Sequence, residues 1–284
     1  VLHGSKSQSE VEVGANNQIL SSSVLFKGQK GSNLNLTIDQ TYQTKVEAAL
    51  KSIYNKAKSA GATTYSDGAY AVAMNPKTGA ILAMAGESNN RSTGEVTDDA
   101  LGVINHTFVM GAAIKGATVM SGLMSGAITP TNNTLPDTPI YLVGTPVKKS
   151  VYPVGTFSSL NAQSALEVSS NIYMMQLLMK EANAKYVPNQ TLTMSSDVFT
   201  KLRGYFNQFG LGQKTGIDLP GEAKGIEGAT LDSSGNTLVG SALDLSYGNY
   251  DAYTLIQLAQ YISTIANGGQ RMKPYLVDSI QQTG

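Results

Sequence analysis

The run from Ala69 to Ala85 constrains the fold more than any other stretch. Ala69 to Met74 and Ala80 to Ala85 are short apolar segments joined by Asn75-Pro76-Lys77-Thr78-Gly79. Proline fixes one backbone dihedral in that turn and glycine supplies a positive one, so the segments fold back on each other as a β-hairpin. Ahead of it, Leu34 to Asp39 alternates at period two as a strand. Asp39 is placed to cap a helix running to about Ser59, with Val46, Ala49, Leu50 and Ile53 on its buried face and Gly61 as its stop.

After the hairpin, Gly86 to Asp99 is polar and reads as a loop, and Ile128 to Tyr152 reads as a wrapping segment with short strands. Helices are expected over Leu160 to Leu166, from Ile172 onward, over Phe199 to Phe209 before Gly210, and over Tyr253 to Ala266 with Leu255, Leu258, Ala259 and Ile262 on one stripe. The methionines between Met174 and Met194 read as gap-filling core. Pro274 to Ile280 begins a last strand. The order strand, helix, hairpin, helical block, strand belongs to a mixed sheet covered by helices. Residues 1 to 33, rich in Ser, Gly, Asn and Gln, read as a lead-in made of an extended strand pair or linker.

Composition narrows the chemistry. Twenty basic residues balance 20 acidic ones, so nothing points to nucleic acid. The absence of cysteine excludes disulfides and thiolate chemistry, and two histidines, His3 and His106, make a histidine-rich metal site improbable. His106 reads as a packing residue. No run approaches the length and apolarity of a bilayer span.

One stretch stands apart: Val109-Met110-Gly111-Ala112-Ala113-Ile114-Lys115-Gly116-Ala117. Ala112 to Met124 reads as an apolar helix that Gly111 lets turn in sharply, with Lys115 one turn in. An amine there is disfavoured by the helix dipole and by desolvation, so it needs a partner or a lowered pKa. On this stretch alone a surface lysine on an amphipathic helix is the simpler reading.

Leu36-Thr37-Ile38-Asp39, the hairpin from Asn75 to Met84, Ser169-Ser170-Asn171, Thr215-Gly216-Ile217-Asp218-Leu219-Pro220-Gly221-Glu222 and the run from Gln257 to Gly269 occur in this order. Together they resemble the transpeptidase domain of class B penicillin-binding proteins of Gram-positive bacteria. The likeness covers about residues 30 to 280. It implies an α/β mixed (α+β) fold shared with serine β-lactamases, an antiparallel sheet flanked by helices plus an all-helical subdomain. It divides the chain into residues 1–30, a linker from an upstream pedestal domain, and 31–284, a transpeptidase domain incomplete at its C-terminus, whose last strands are absent from this chain.

The family works through Ser-x-x-Lys, Ser-x-Asn and Lys-Ser/Thr-Gly. In it, a serine attacks the D-Ala-D-Ala carbonyl of a stem peptide and an amine of a neighbouring stem accepts the acyl group. Serine and lysine three apart share a helix face, so the amine can take the hydroxyl proton without a histidine. Carried over, the first motif falls on Ala112-Ala113-Ile114-Lys115, with alanine at the nucleophile position. No lysine in the chain has serine three residues earlier. Alanine is the smallest replacement that removes the hydroxyl while keeping helix propensity.

The second motif falls on Ser169 and Asn171, ahead of an apolar helix. Ser88-Asn89-Asn90, Ser159-Leu160-Asn161 and Ser234-Gly235-Asn236 match the bare pattern without such a helix. Lys77-Thr78-Gly79 and Lys214-Thr215-Gly216 both spell the third motif, but they sit in the hairpin turn and in a later loop. The family's copy begins a strand expected beyond Gly284.

The resemblance implies a peptidoglycan D,D-transpeptidase, target of β-lactams and catalytically dead as given, with no cofactor. Its partners would be stem peptides on lipid-linked precursor and nascent glycan, β-lactams, and cell-wall synthesis proteins in the membrane. Its place would be the extracytoplasmic face of the cell membrane, anchored by an N-terminal transmembrane helix not present in this chain. The alternatives are a binding or scaffold module that holds stem peptides or β-lactams without turnover, and a β-lactam sensor.

Overall fold

The computed structural model describes residues 3–282. The first two residues of the lead-in segment and the last two of the chain lie outside the described residues. The lead-in is a strand pair: β1 (Gln8–Val13) and β2 (Ile19–Phe26) run antiparallel, and their apolar side chains, Val13, Ile19, Leu20 and Phe26 among them, are exposed.

β3 (Asn33–Leu36) leads into α1 (Gln40–Ser59), which Asp39 caps by accepting from the Tyr42 amide at 2.7 Å. β4 (Gly68–Met74) and β5 (Ile81–Asn89) form the expected hairpin. In its turn Asn75 Oδ1 accepts from the Lys77 amide at 2.9 Å, and Gly79 sits at φ +87° with the Lys273 carbonyl 2.1 Å from where a Cβ would stand. Only glycine fits there. β6 (Val96–Asp98) adds a third antiparallel strand, so half of the segment read as a loop is sheet and the rest is the turn between the strands. Its polar residues are drawn into a tight turn by Asn90, whose side chain accepts from the Ser92 and Thr93 amides at 3.0 and 3.3 Å.

The chain continues through α2 (Gly102–Asn105), β7 (Phe108–Val109), a 3-10 turn (Gly111–Ile114), α3 (Lys115–Ser125), β8 (Leu135–Pro136), β9 (Ser159–Leu160) and α4 (Ala162–Glu167). Then come α5 (Asn171–Glu181), α6 (Val198–Gln208), α7 (Val239–Ser246), β10 (Ala252–Tyr253), α8 (Leu255–Ala266) and β11 (Val277–Gln281). β11 pairs antiparallel with β3, and a parallel bridge between Ala80 and Tyr275 joins that pair to the hairpin sheet.

The sheet has two unlike faces. Ala69, Ala71 and Ala73 of β4 stand beside Glu87, Ala85 and Ala83 of β5. On the other face Tyr70, Val72 and Met74 pack with Ile81, Val103, Ile104 and Ile256, bringing in α2 and α8. A second core fills the helical layer, where Ala117, Met175, Leu178, Leu202, Phe206 and Leu243 join α3, α5, α6 and α7. Met174, Met175 and Met179 are buried, as gap-filling residues should be.

Two helices are rotated from their expected faces, each by glutamine. On α1, the Gln43 amide pairs with the backbone of Met84, donating and accepting at 2.8 Å. That contact turns Tyr54 inward and leaves Ile53 68% exposed. On α8 the buried residues are Ile256, Gln257, Gln260, Tyr261, Ser263 and Thr264, whereas Ile262 is 51% exposed. Gln257 donates to the Gln213 and Lys224 carbonyls at 2.9 and 2.8 Å and accepts from the Gly212 amide at 3.1 Å, which makes its burial tolerable. The helix also begins later than expected: Tyr253 lies in β10, and Thr254 is the cap.

Deep in the helical layer, Ser121 of α3 donates to Glu181 at the end of α5 at 2.9 Å. Burial lifts the Glu181 carboxyl to about 7, against the help of that bond. The folded state therefore holds a proton that the unfolded state releases, and stability from this group is lost as pH rises from the ordinary carboxylate range through about 7. Glu181→Gln keeps the acceptor without the charge. It is expected to raise stability by about 1–3 kcal/mol at pH 8 and to leave it unchanged at pH 4, read by urea unfolding at both.

Candidate active site

Two helix starts meet at Lys115. The first is set by a pair of glycines. Gly111, at φ +56°, donates its amide to the Gly248 carbonyl at 2.9 Å, and a Cβ on Gly248 would stand 2.0 Å from the Gly111 carbonyl oxygen. The chain turns there into the 3-10 turn, and the Lys115 amide closes it on the Ala112 carbonyl. The helix expected from Ala112 is therefore 3-10 up to Ile114 and α-helical from Lys115. In a 3-10 turn residues three apart eclipse, which aligns Ala112 with Lys115 more closely than an α-helix would. Ala112 is exposed and Lys115 is 3% exposed.

The second start is α5. Ser170 caps it, accepting from the Tyr173 amide at 2.9 Å and donating to Asp137 Oδ1 at 2.6 Å. Ser150 Oγ accepts from the Asn171 and Ile172 amides at 3.0 and 3.2 Å, and Tyr152 donates to the other oxygen of Asp137 at 2.7 Å. Ser169, just before the cap, is held in the left-handed region at φ +54°.

That strained residue and Asn171 receive the lysine. Lys115 Nζ donates to the Ser169 carbonyl at 2.8 Å, to Ser169 Oγ at 3.0 Å and to Asn171 Oδ1 at 2.6 Å. All three ammonium protons are used, and no carboxylate is among the partners. Burial lowers the Lys115 amine to about 8, so roughly a tenth of it is the free base at pH 7. The arrangement presents a proton acceptor beside the side chain of residue 112, a hydroxyl that can relay protons, and an amide anchored through its oxygen with its NH₂ left to donate.

The structure thus brings together Lys115, Ser169 and Asn171, with Ala112 one turn away. Sequence reasoning missed the residues that hold them: Ser150, Asp137 and Tyr152. Ser170 had a local signal, a serine ahead of an apolar helix. Asp137 had none, because its partners are distant in the chain.

The other pattern matches have other work. Asn161 caps α4, and the Ser234 and Asn236 amides donate to Asp232. In the later loop the Thr215 and Gly216 amides donate to Glu222 at 2.6 and 3.0 Å. His106 Nδ1 lies 2.7 Å from the Tyr70 hydroxyl, which donates to Asp99. Among the described residues no group of three or more His, Cys, Asp or Glu is arranged to hold a metal ion, and no helix is long and apolar enough to cross a membrane.

A mixed sheet with flanking helices is the fold this chain shares with penicillin-binding protein transpeptidase domains. Residues 69–283 match the penicillin-binding protein transpeptidase domain, and the chain belongs to that family. It is 40% identical over 283 residues to penicillin-binding protein 2B of Streptococcus pneumoniae serotype 2 (strain D39), covering 98% of this chain and 40% of that protein. It is 38% identical over 289 residues to penicillin-binding protein 2A of Bacillus subtilis (strain 168), covering 100% of this chain and 38% of that one. The solved structure of penicillin-binding protein 2B from Streptococcus pneumoniae strain R6 superposes with a TM-score of 0.85 at 38% identity, covering 99% of this chain and 45% of that chain. The chain spans about two fifths of the length of these curated relatives.

Proposed function

We propose that the chain is the D,D-transpeptidase domain of a cell-wall enzyme, one that cross-links peptidoglycan stem peptides by acyl transfer from D-Ala-D-Ala and is acylated by β-lactams. With alanine at 112 it does not form the acyl-enzyme. The observation that carries this reading is the triple hydrogen bond of Lys115 to Ser169 and Asn171, one 3-10 turn from Ala112.

With serine at 112, its Oγ attacks the acyl carbon as Lys115 takes the hydroxyl proton. Ser169 then carries a proton to the departing amine, of D-alanine or of the opened lactam. Asn171, tied to Lys115 through Oδ1, turns its NH₂ to the carbonyl of the substrate's amide. Attack by an amine of a second stem peptide releases the serine and completes the cross-link.

The exposed apolar β1–β2 pair supports reading residues 1–30 as a connection to an upstream domain. On the same reading the protein sits at the extracytoplasmic face of the membrane, held by a transmembrane segment ahead of this chain and working beside other cell-wall synthesis proteins.

Ala112 itself favours a second reading, a module that binds β-lactams or stem peptides without turnover. Ala112→Ser separates the two in the intact protein. The enzyme reading expects a fluorescent penicillin to label the Ala112→Ser protein covalently and to leave the parent unlabelled. Reversible binding without label in Ala112→Ser protein would establish the binding module instead.

A further inference from the structure

The sheet face beneath α1 is a row of small side chains that ends in charge. Cross-strand partners share a face, so the alanines of β4 and β5 lead to Glu87, and Glu87 stands directly beside Asp98 of β6. The alanines let α1 approach closely. Where the row reaches Glu87, a cleft of about 360 Å³ opens between helix and sheet. Glu47 and Lys51 of α1 line one wall, Glu87 and Asp98 the other, and Leu50 and Ala85 are among its apolar surfaces.

Glu87 is only 5% exposed, yet no hydrogen bond or ion pair reaches its carboxylate among the described residues. Its oxygens are not among the fully buried unpartnered atoms, so the carboxylate opens onto the cleft, with a like charge directly across the strand. Lys51 does not relieve it, since no ion pair joins that lysine to any of the three carboxylates among the described residues. Glu47 accepts from the Gln43 amide at 2.6 Å and has no ion pair among the described residues.

We propose that this cleft binds the ammonium or guanidinium end of a lysine- or arginine-type side chain presented by a peptide. Glu87 is the anchor, with Asp98 and Glu47 flanking it. The charge complementarity sets the sign of the ligand, and the volume sets its kind. The cleft holds far more than a bare ion, and its Leu50 and Ala85 walls suit an alkyl stem behind the charged head. None of these acidic groups is arranged as a metal cage. The cleft lies on the sheet face opposite α2 and α8, so it is distinct from the Lys115 site.

The test is an NMR titration of the intact protein with Nα-acetyl-lysine methylamide, with the neutral norleucine analogue and with calcium or magnesium alone. The lysine probe should shift the amides of Ala85, Gly86, Glu87 and Asp98 saturably at millimolar concentration, and the norleucine analogue should bind roughly tenfold more weakly or not at all. Glu87→Gln, which keeps the shape and removes a buried charge, should fold at least as stably and lower affinity for the lysine probe roughly tenfold. Asp98→Asn should weaken it by a smaller factor, and Glu10→Gln on the distant hairpin should change nothing. Equal binding of the norleucine analogue, unaltered affinity in Glu87→Gln protein, displacement of the probe by a divalent ion alone, or no saturable shift would each overturn the proposal.

Discussion

In protein carrying Ala112→Ser, a further Lys115→Met change is expected to slow β-lactam acylation by about 10²–10⁴-fold, the usual range for loss of a positioned general base. Methionine preserves the length and the burial but accepts no proton. It also leaves Ser169 and the Asn171 oxygen without their donor, so the relay is lost with the base. The Ala112→Ser protein should acylate faster as pH rises through about 8, where the amine passes to its free form, and the Lys115→Met rate should be flat across that range. Stopped-flow acylation between pH 6 and 9 reads both. A double variant within about threefold of the Ala112→Ser rate would place the base elsewhere.

Asp251→Ala is expected to destabilise the fold by up to about 3–5 kcal/mol, the cost of removing one partner of a buried ion pair, with Glu227, 3.9 Å away, the remaining carboxylate for Arg203. Arg203 of α6 reaches Asp251 through two bonds of 2.8 Å, and Asp251 also accepts from the Gly228 amide at 2.9 Å. Asp251 is 1% exposed, and Arg203 lies over the Phe199 ring at 5.0 Å. The pair pins the strand that follows, because Ala252 and Tyr253 of β10 pair with Val109 and Phe108, and those lead directly into the Gly111 turn. Urea unfolding measures the loss. A change under about 1 kcal/mol, the size of a surface ion pair, would show that the helical layer does not depend on it.

Local patterns told most of the outline. The hairpin, the Asp39 cap and the apolar α5 helix were legible because each is decided by neighbours in sequence: a Pro-Gly turn, a capping carboxylate, a continuous apolar run. The helix rotations were not. Gln43 and Gln257 are polar, and periodicity assigns polar residues to solvent, yet Gln257 is buried and Gln43 half-buried against backbone groups far along the chain. β6 was hidden for a related reason, since its register depends on pairing with β5.

At the site, the resemblance to the family's motifs pointed to Lys115, Ser169 and Asn171, while the 3-10 geometry that aligns Ala112 with Lys115 depends on Gly248, brought in from the α7–β10 connection. Asp137 and Ser150, which hold the start of α5, left no sequence signal because their roles arise only once the wrapping segment is folded over that helix.

On the proposed function, Lys115, Ser169 and Asn171 form the part of an acylation site that surrounds residue 112, and that part lacks only the hydroxyl. Peptide mapping by mass spectrometry after incubation with a β-lactam tests it most directly. A stoichiometric adduct is expected on the peptide containing residue 112 in Ala112→Ser protein, and none in the parent. An adduct on the parent, or an adduct of the Ala112→Ser protein mapped to any other residue, would contradict it.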